Sequence, residues 1–592
     1  MIYDISYVII FVTKLLRYYY NIYNMSVSAA ITEVEIPMKK KAIGILMSLA
    51  LVLTFMMGAA STALAADPNV RVKINIGTTT QFSFVVCGGS YTANGIALAN
   101  GATYTVKLEN GNSVNLYDSN NQLICPVGSP DALMISSAAE METVRLTHPT
   151  NGERDYLGEL WFTISGGSLQ LVNHLNIEKY LYGVVPYEMS DSFPIEALKA
   201  QAVAARTYAA NRMKGATGAY DLVDNTDDQV YKGYDSTKTN AIAAVDGTKA
   251  QVLKYGDTAY VQCYYSASNG GWTDITQHRW STSEPLKSYN VIKEDPYDIA
   301  NPSSKQERLV LPRTVTAENP LQYQNWASGS YVSNDNSPTG IANASRYLRL
   351  SALPAVAAKG YVANVTDDLE ILGFSNIVAH TYDGKHGGAN GYNGNDVTGK
   401  NDCKDMLKAD VTMTVLASRY ETPQGGGYLL GDVDMNGSIS ISDYTLVRLH
   451  ILGIKGLSGE ALTIADADRN GSISISDYTL IRLHILGLKA ITGRTNDGLV
   501  REPVEVTFTI DFPVMDVGGA YPSFFDGSLG LFLVQSDDAN WYIYQRRYGH
   551  GIGMSQRGAQ QQANEGRTYT QIIEFYYPNY PGYPAVTWAS LY

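Results

Sequence analysis

The chain has 592 residues, 45% hydrophobic and 17% charged, which is ample apolar material for more than one core. Its net charge of -13 argues against nucleic acid as a partner and fits an acidic extracellular protein. Four widely spaced cysteines, Cys87, Cys125, Cys263 and Cys403, include no CxxC pair of the kind that holds zinc or runs redox chemistry.

In chain order, Met38, Lys39, Lys40 and Lys41 precede an apolar run over residues 42–58, and Ala63-Leu64-Ala65-Ala66 offers a cleavage site before Asp67. This reads as a secretory signal peptide with Met38 as the true start. The apolar run within residues 1–37 is broken by Lys14 and Arg17 and is too short to span a bilayer. Beyond residue 66 no membrane-spanning stretch follows, so the mature chain is expected outside the cell or on its surface.

Residues 67–165 read as a module of short β-strands between Gly, Asn and Ser turns, for example residues 70–76 and 82–87. A Cys87–Cys125 disulfide within it and free buried thiols are both compatible with the spacing. After Gly166 a strand-like stretch leads to a helix with Asp191 or Ser192 as cap, Pro194 in its first turn, and Ile195, Leu198, Ala202 and Val203 along one face. Directly before it, Tyr180-Leu181-Tyr182-Gly183-Val184-Val185-Pro186-Tyr187-Glu188-Met189 places Glu188 on a loop at a helix start. The positive end of a helix by itself favours a carboxylate there by a few tenths to about 1 kcal/mol, so a purely structural role stays open.

Residues 266–273 put hydroxyls and glycines (Ser266, Ser268, Gly270, Gly271) before Trp272, which suits either a loop lining a sugar groove or an ordinary turn. Farther on, a helix is expected around Asp367 to Gly373, then a Gly/Asn-rich run from His386. Strand-like residues 411–416 are expected to pair with residues 504–510. Pro423 and Thr492 open two linker-like stretches.

Between those linkers stand two near-identical segments, GDVDMNGSISISDYTLVRLHILG from Gly431 and ADADRNGSISISDYTLIRLHILG from Ala465. In each, oxygens at the first, third, fifth, seventh, ninth and twelfth loop positions surround a hard cation, with Gly at the sixth for the sharp turn. The first loop offers Asp432, Asp434, Asn436, the Ser438 carbonyl, Ser440 and Asp443. The second offers Asp466, Asp468, Asn470, the Ser472 carbonyl, Ser474 and Asp477. The last ligand is Asp where an EF-hand has Glu, and no convincing helix precedes either loop. That departure, with the duplication, resembles a type I dockerin. The resemblance implies calcium-dependent folding with two Ca2+ ions, docking onto a cohesin module of a scaffoldin, and partner choice at Ile441, Ser442, Ile475 and Ser476. A calcium-stapled spacer that binds nobody is the plainer alternative.

Near the end, Gly549-His550-Gly551-Ile552-Gly553-Met554-Ser555-Gln556-Arg557-Gly558-Ala559 forms a glycine-flanked turn that opens a helix from Ser555 to about Asn564. Glycines let a substrate approach the backbone, and the imidazole can hydrogen-bond a sugar; a tight turn with a satisfied histidine is the alternative. Gln556 and Arg557 face either the groove or solvent.

Taken in order, ProTyrGluMet, the helix from Ala197 reading ALKAQAVAARTYA, the Tyr264 to Thr273 stretch and the His550 motif resemble the stage II sporulation protein D and amidase-enhancer family. Members of that family are lytic transglycosylases, or relatives of them, acting on peptidoglycan glycan strands, and the family's catalytic glutamate falls on Glu188. Candidate substrate-binding residues are Tyr187, Ser266, Ser268, Gly270, Gly271, His550, Gly551, Gly553 and Gln556. A single carboxyl group suffices when the 6-hydroxyl of N-acetylmuramic acid is the nucleophile, whereas hydrolytic glycosidases usually need two. Holding a proton near neutral pH requires burial beside apolar or aromatic groups, with Tyr182 and Tyr187 as candidates. Where some relatives carry a DxCDxTHCQ-like zinc stretch, this chain reads Asp221-Leu222-Val223-Asp224-Asn225-Thr226-Asp227-Asp228-Gln229, so no zinc is expected, although Asp227 and Asp228 leave a hard cation conceivable.

The expected fold is α+β. It comprises a signal segment (1–66), a β-rich N-terminal module (67–165), and a glycan-groove domain in two parts (166–425 and 496–592) around an all-α dockerin insertion (426–495). The expected function is a secreted peptidoglycan transglycosylase tethered to a cohesin scaffold. The alternative is a non-catalytic glycan-binding amidase enhancer.

Overall fold

A computed structural model describes residues 68–592 except 130, 214–217, 281–284, 328–329, 334–340, 363–368, 382–405, 422–425 and 512–530. The signal-peptide reading, the run from His386, Cys403 and Pro423 fall outside the described residues. The fold is α+β. Among the described residues no helix is long and apolar enough to cross a membrane.

Alternating apolar and polar residues make strands of most of residues 69–176. In Asn69–Ile74 the buried positions are Val70, Val72 and Ile74, one face of a pleat. One antiparallel sheet runs in the order Gly152–Leu157, Thr143–His148, Gln81–Val86, Thr103–Glu109, Ser113–Tyr117, Leu123–Gly128. A second places Asn69–Ile74, Ser168–Asn176, Glu159–Ser165 and Leu133–Ser136 side by side. Phe84 stacks on both Tyr104 and Phe162. Packing continues past residue 165: Asn69–Ile74 pairs with Ser168–Asn176, and one buried cluster extends from Val70 to Tyr577. Cys87 and Cys125 are free thiols, so of the two readings left open by the spacing the disulfide is the one that fails. Two strands separate their positions in the sheet order. At ordinary strand spacing that is roughly 14 Å, beyond disulfide reach.

The alanine-rich helix Ile195–Arg212 buries Leu198, Ala202, Val203 and Tyr208, and its small side chains let helices Gln556–Asn564 and Tyr569–Tyr576 lie close against it. Two details differ from expectation. Ile195 is 41% exposed. Pro194 itself occupies the cap position with no side-chain cap, while Asp191 accepts at 2.8 Å from the Ala241 N–H in the first turn of Thr239–Asp246. Arg206, fully buried, pairs with Glu178 at 2.6 Å and binds the Thr239–Asp246 helix through the Val245 carbonyl. A severed partner there would leave a charge stranded in the core, a loss of about 3–5 kcal/mol.

A second core lies between the two halves of the first. The five-stranded sheet Ser330–Ser333, Gln322–Ala327, Gln306–Pro312, Asn540–Arg546, Leu531–Ser536 packs with the three-stranded sheet Glu370–Thr381, Met406–Glu421, Gly498–Asp511 and helix Ile341–Ala358. The pairing expected of residues 411–416 is present, with Val411 opposite Phe508 and Val415 opposite Val504. Of the helix expected from Asp367 to Gly373, residues 367–368 lie outside the described residues and the chain is strand from Glu370 onward, because Ile371, Phe374 and Ile377 are buried in the second core. Met406–Glu421 and Gly498–Asp511 pair in register from Lys408 with Asp511 to Glu421 with Gly498, and the duplicated loop–helix segments grow from that end. Their helices, Ile441–Ile451 and Ile475–Ile485, close around Val433, Val447, Ile464 and Ile481, with Tyr444 stacked on Tyr478 at 4.2 Å. The chain then returns to the first core, where Val586–Ser590 pairs with Gln251–Tyr255.

Candidate active site

Glu188 ends a single helical turn, Val185–Glu188, whereas the sequence placed it on a loop at the next helix start. The positive end of Ile195–Arg212 is therefore seven residues away in sequence. Gly183 precedes this turn because a Cβ there would collide with the Gly233 carbonyl and the Tyr231 ring. That close approach brings the Val230 N–H to Glu188 Oε1 at 2.7 Å. From the other side, Ser555 caps Gln556–Asn564 by accepting from Gly558 N–H, and Gln556 Nε2 donates to Glu188 Oε2 at 3.4 Å.

Burial pushes the Glu188 carboxyl above its ordinary range, against the lowering effects of Val230 N–H, Gln556 and the Lys232 charge. Its aromatic surroundings are not the pair named from sequence. Tyr182 donates its hydroxyl to Asp246 at 2.6 Å, and Tyr187 lines a different cleft. Instead Glu188 lies in a cleft of about 540 Å3 with Tyr208, Tyr264, Tyr265 and Trp280, alongside Arg212, Asp227 and Asp228. Trp280 stands 5.0 Å from both Tyr264 and His550, forming one wall. His550 Nδ1 accepts from Ile552 N–H at 3.0 Å, so a neutral ring carries its proton on Nε2.

The glycines around these residues serve packing. Gly549, Gly551 and Gly553 have φ of 107°, 72° and 70°. An added Cβ would lie 2.8 Å from Ser266 Cβ at Gly549, 2.6 Å from Arg547 Nε at Gly551, and would collide with the Tyr264 carbonyl at Gly553. Gly270 and Gly271 likewise press inward, on Arg547 and Ile299. Ser268 points away from the cleft, donating to Asp298 at 2.8 Å. From the loop, Ser266 and Ala267 reach the cleft.

Two buried carboxyls escaped sequence reading. Asp298 accepts from Ser268, from Gly270 N–H at 2.9 Å and from Ser555 at 2.5 Å, while Asp295 accepts from Asn269 and Tyr576 at 2.7 Å each. Burial, then the Asp295 charge, pushes Asp298 up to about 7. Their donors come from up to 281 residues away, so no local pattern announces them. Tyr208, Arg212 and Trp280 were missed for the same reason.

The stretch Asp221 to Gln229 is used structurally. Asp221 pairs with Arg71 at 2.7 Å, Asp224 meets His148 at 3.1 Å, Asp228 accepts from Val223 N–H and Tyr208, and Gln229 donates to Tyr265. Val223 is a strand residue beside Lys73.

In each duplicated loop three carboxylates, Asp432, Asp434 and Asp443 or Asp466, Asp468 and Asp477, bring ligand oxygens within 4.8 Å of one another. Asn436 N–H and Gly437 N–H donate to Asp432 at 3.0 and 2.8 Å, and Asp434 N–H and Ser440 N–H hold Asp443. The second loop repeats these bonds. Asn436 and Ser438, like Asn470 and Ser472, occupy the turn between, and Ser440 and Ser474 cap the helices. Fully buried Asp443 and Asp477 beside two more carboxylates suit an oxygen-seeking divalent cation, and the donor set fits calcium. Ser442 and Ser476 donate to Asp434 and Asp468 at 2.6 Å, bracing the loops, while Ile441 and Ile475 stand 67% and 72% exposed.

Comparison with known proteins agrees with both parts. Residues 165–255 match the stage II sporulation protein family and residues 430–486 the type I dockerin domain. An amidase enhancer of Bacillus subtilis is 32% identical over 244 residues, 40% of this chain and 31% of that protein. The stage II sporulation protein D of Bacillus subtilis is 33% identical over 153 residues, 23% of this chain and 43% of that one. An uncharacterised protein of Brachyspira hyodysenteriae is 41% identical over 133 residues, 22% and 36% of the two chains. The chain thus spans less than half the length of each of these relatives. Residues 165–255 are a stage II sporulation protein family domain, and residues 430–486 are a type I dockerin domain.

Proposed function

We propose that the protein is a secreted lytic transglycosylase of peptidoglycan glycan strands, held at a surface scaffold by dockerin–cohesin docking, with one calcium ion in each dockerin loop. The observation that carries this reading is Glu188, a carboxyl whose burial favours its protonated form, set in an aromatic cleft and touched by Gln556. Protonated Glu188 gives its proton to the glycosidic oxygen as the 6-hydroxyl of N-acetylmuramic acid attacks that sugar's own anomeric carbon. The carboxylate takes up the hydroxyl proton, leaving a 1,6-anhydro end and a free 4-hydroxyl, with no water consumed. A second carboxylate is not needed, and Asp228 has both oxygens engaged by Val223 N–H and Tyr208.

The similarity to an amidase enhancer favours a second reading, a groove that binds glycan without cutting it. Incubating wild type and Glu188→Gln with purified strands, bare or peptide-substituted, separates the two. Anhydromuramic ends from wild type alone support the enzyme. Intact strands that co-sediment with both proteins support the binding module.

A further inference from the structure

A second, polar cleft of about 430 Å3 is lined by Thr143, Arg145, Arg154 and Asp155 of the N-terminal sheet together with Tyr187 and Tyr234. Two features tie it to Glu188. Tyr187 is its neighbour in the one-turn helix. Residues 226–236 also line both clefts: Thr226, Asp227 and Asp228 belong to the first, Tyr234, Asp235 and Ser236 to the second, and Val230 between them donates to Glu188. From residue 228 to residue 234 the chain spans at most roughly 20 Å, the length of a few linked pyranoses.

The charges at this cleft are unevenly matched. Arg145 is neutralised by Asp155 through bonds of 2.7 and 3.1 Å. Asp235 is held by Thr237 and lies 3.8 Å from Lys238. Arg154 binds the Glu153 carbonyl through Nη1 and keeps Nε buried with no hydrogen-bond partner. Lys232 Nζ stands 5.5 Å from the centre of the ring of Tyr187, a lining residue of this cleft, and its charge is among the influences that lower the Glu188 pKa. The exposed Glu153 side chain is the remaining acid here.

We infer that this cleft is a subsite for a carboxylate-bearing sugar of the strand, with Lys232 and Arg154 taking the carboxylate and the Tyr187 ring supporting the sugar face. The inference rests on the glycan reading of the Glu188 cleft and adds a register to it. On a bare strand only every second sugar, the muramic acid, carries a carboxylate, on its lactyl ether. On a peptide-substituted strand that group is an amide and the free carboxylates sit on the peptide. Gripping a carboxylate at a set distance from Glu188 selects which of the two alternating linkages meets the acid. It also gives the N-terminal module a part in substrate binding.

The test uses the full chain with Glu188→Gln, which prevents turnover, and titration calorimetry with three oligomers of equal length: bare alternating strand, peptide-substituted strand, and neutral chitooligosaccharide. Adding Lys232→Met or Arg154→Gln should weaken the bare strand about tenfold, well beyond the loss for the neutral oligomer. Lys232→Arg, which keeps the charge, should retain binding and shows that loss in the other variant is not misfolding. A loss confined to the peptide-substituted strand keeps the subsite and assigns the carboxylate to the peptide. Equal losses for charged and neutral oligomers, or none, overturn the inference. If the Glu188→Gln protein binds none of the three, the glycan reading itself fails, an outcome distinct from loss of charge selectivity.

Discussion

Gln556 Nε2 donates to Glu188 Oε2 at 3.4 Å across 368 residues of sequence, joining the start of one helix to the end of another. This bond favours the carboxylate and so opposes the burial that raises the Glu188 pKa. A general acid must be protonated, so cleavage is expected to fall as pH rises through that raised pKa. Gln556→Ala should move the alkaline limb upward, and Glu188→Gln should lose at least about a hundredfold in rate. Rates of anhydromuramic end formation across pH check both, and an unmoved limb in Gln556→Ala would remove that residue from the reacting group.

Gly553→Ala is expected to destabilise by about 2 kcal/mol or more, because a φ of 70° is combined with a collision against the Tyr264 carbonyl. Gly111→Ala is the control, since its φ is 69° but its Cβ would meet nothing within 4 Å. Thermal unfolding of the pair separates backbone strain, roughly 1 kcal/mol, from the collision.

Asp298 should make stability fall with rising pH. Its folded pKa is raised to about 7 by burial and by Asp295. The unfolded group titrates near the ordinary aspartate value of about 3.9. The group's contribution is therefore complete below the unfolded value and lost as pH rises through the folded one. Denaturant midpoints of wild type and Asp298→Asn between pH 4 and 8 should show a shallower slope in the variant. Equal slopes would mean that Asp298 is ionised throughout.

Calcium removal should unfold the dockerin helices Ile441–Ile451 and Ile475–Ile485, because their first turns are capped through Asp443 and Asp477, which crowd against two more carboxylates. A chelator should lower helical ellipticity while the main transition of the two larger cores persists. Calorimetric titration should return two calcium equivalents, and Asp432→Ala should return one. A single site in wild type would contradict the two-loop reading.

Much of this was legible because it is local. The dockerin loops repeat a spacing that suits coordination of a hard cation, and the helix expected to open at Ser555 is present from Gln556. The strand pairing of residues 411–416 followed from two apolar β-branched runs flanking an insertion. Local rules also misled. Asp191 resembles a cap for Ile195–Arg212 but serves Thr239–Asp246, and residues 370–373 read as helix because the burial of Ile371 in the second core is invisible in sequence.

By itself the sequence determined the two dockerin loops with their helices and the helix that opens at Ser555, since each depends on neighbours a few positions away, while the order of four motifs resembling a known family singled out Glu188 and His550. Only the tertiary structure decided what those residues touch. It set Tyr187 in a second cleft and turned Ser268 toward Asp298. It assigned the flanking glycines to packing and brought Gln556 to Glu188. Those outcomes depend on burial and on partners 30 to 368 residues distant, and desolvation of a carboxyl is a property of everything packed around it, which no short stretch of chain contains.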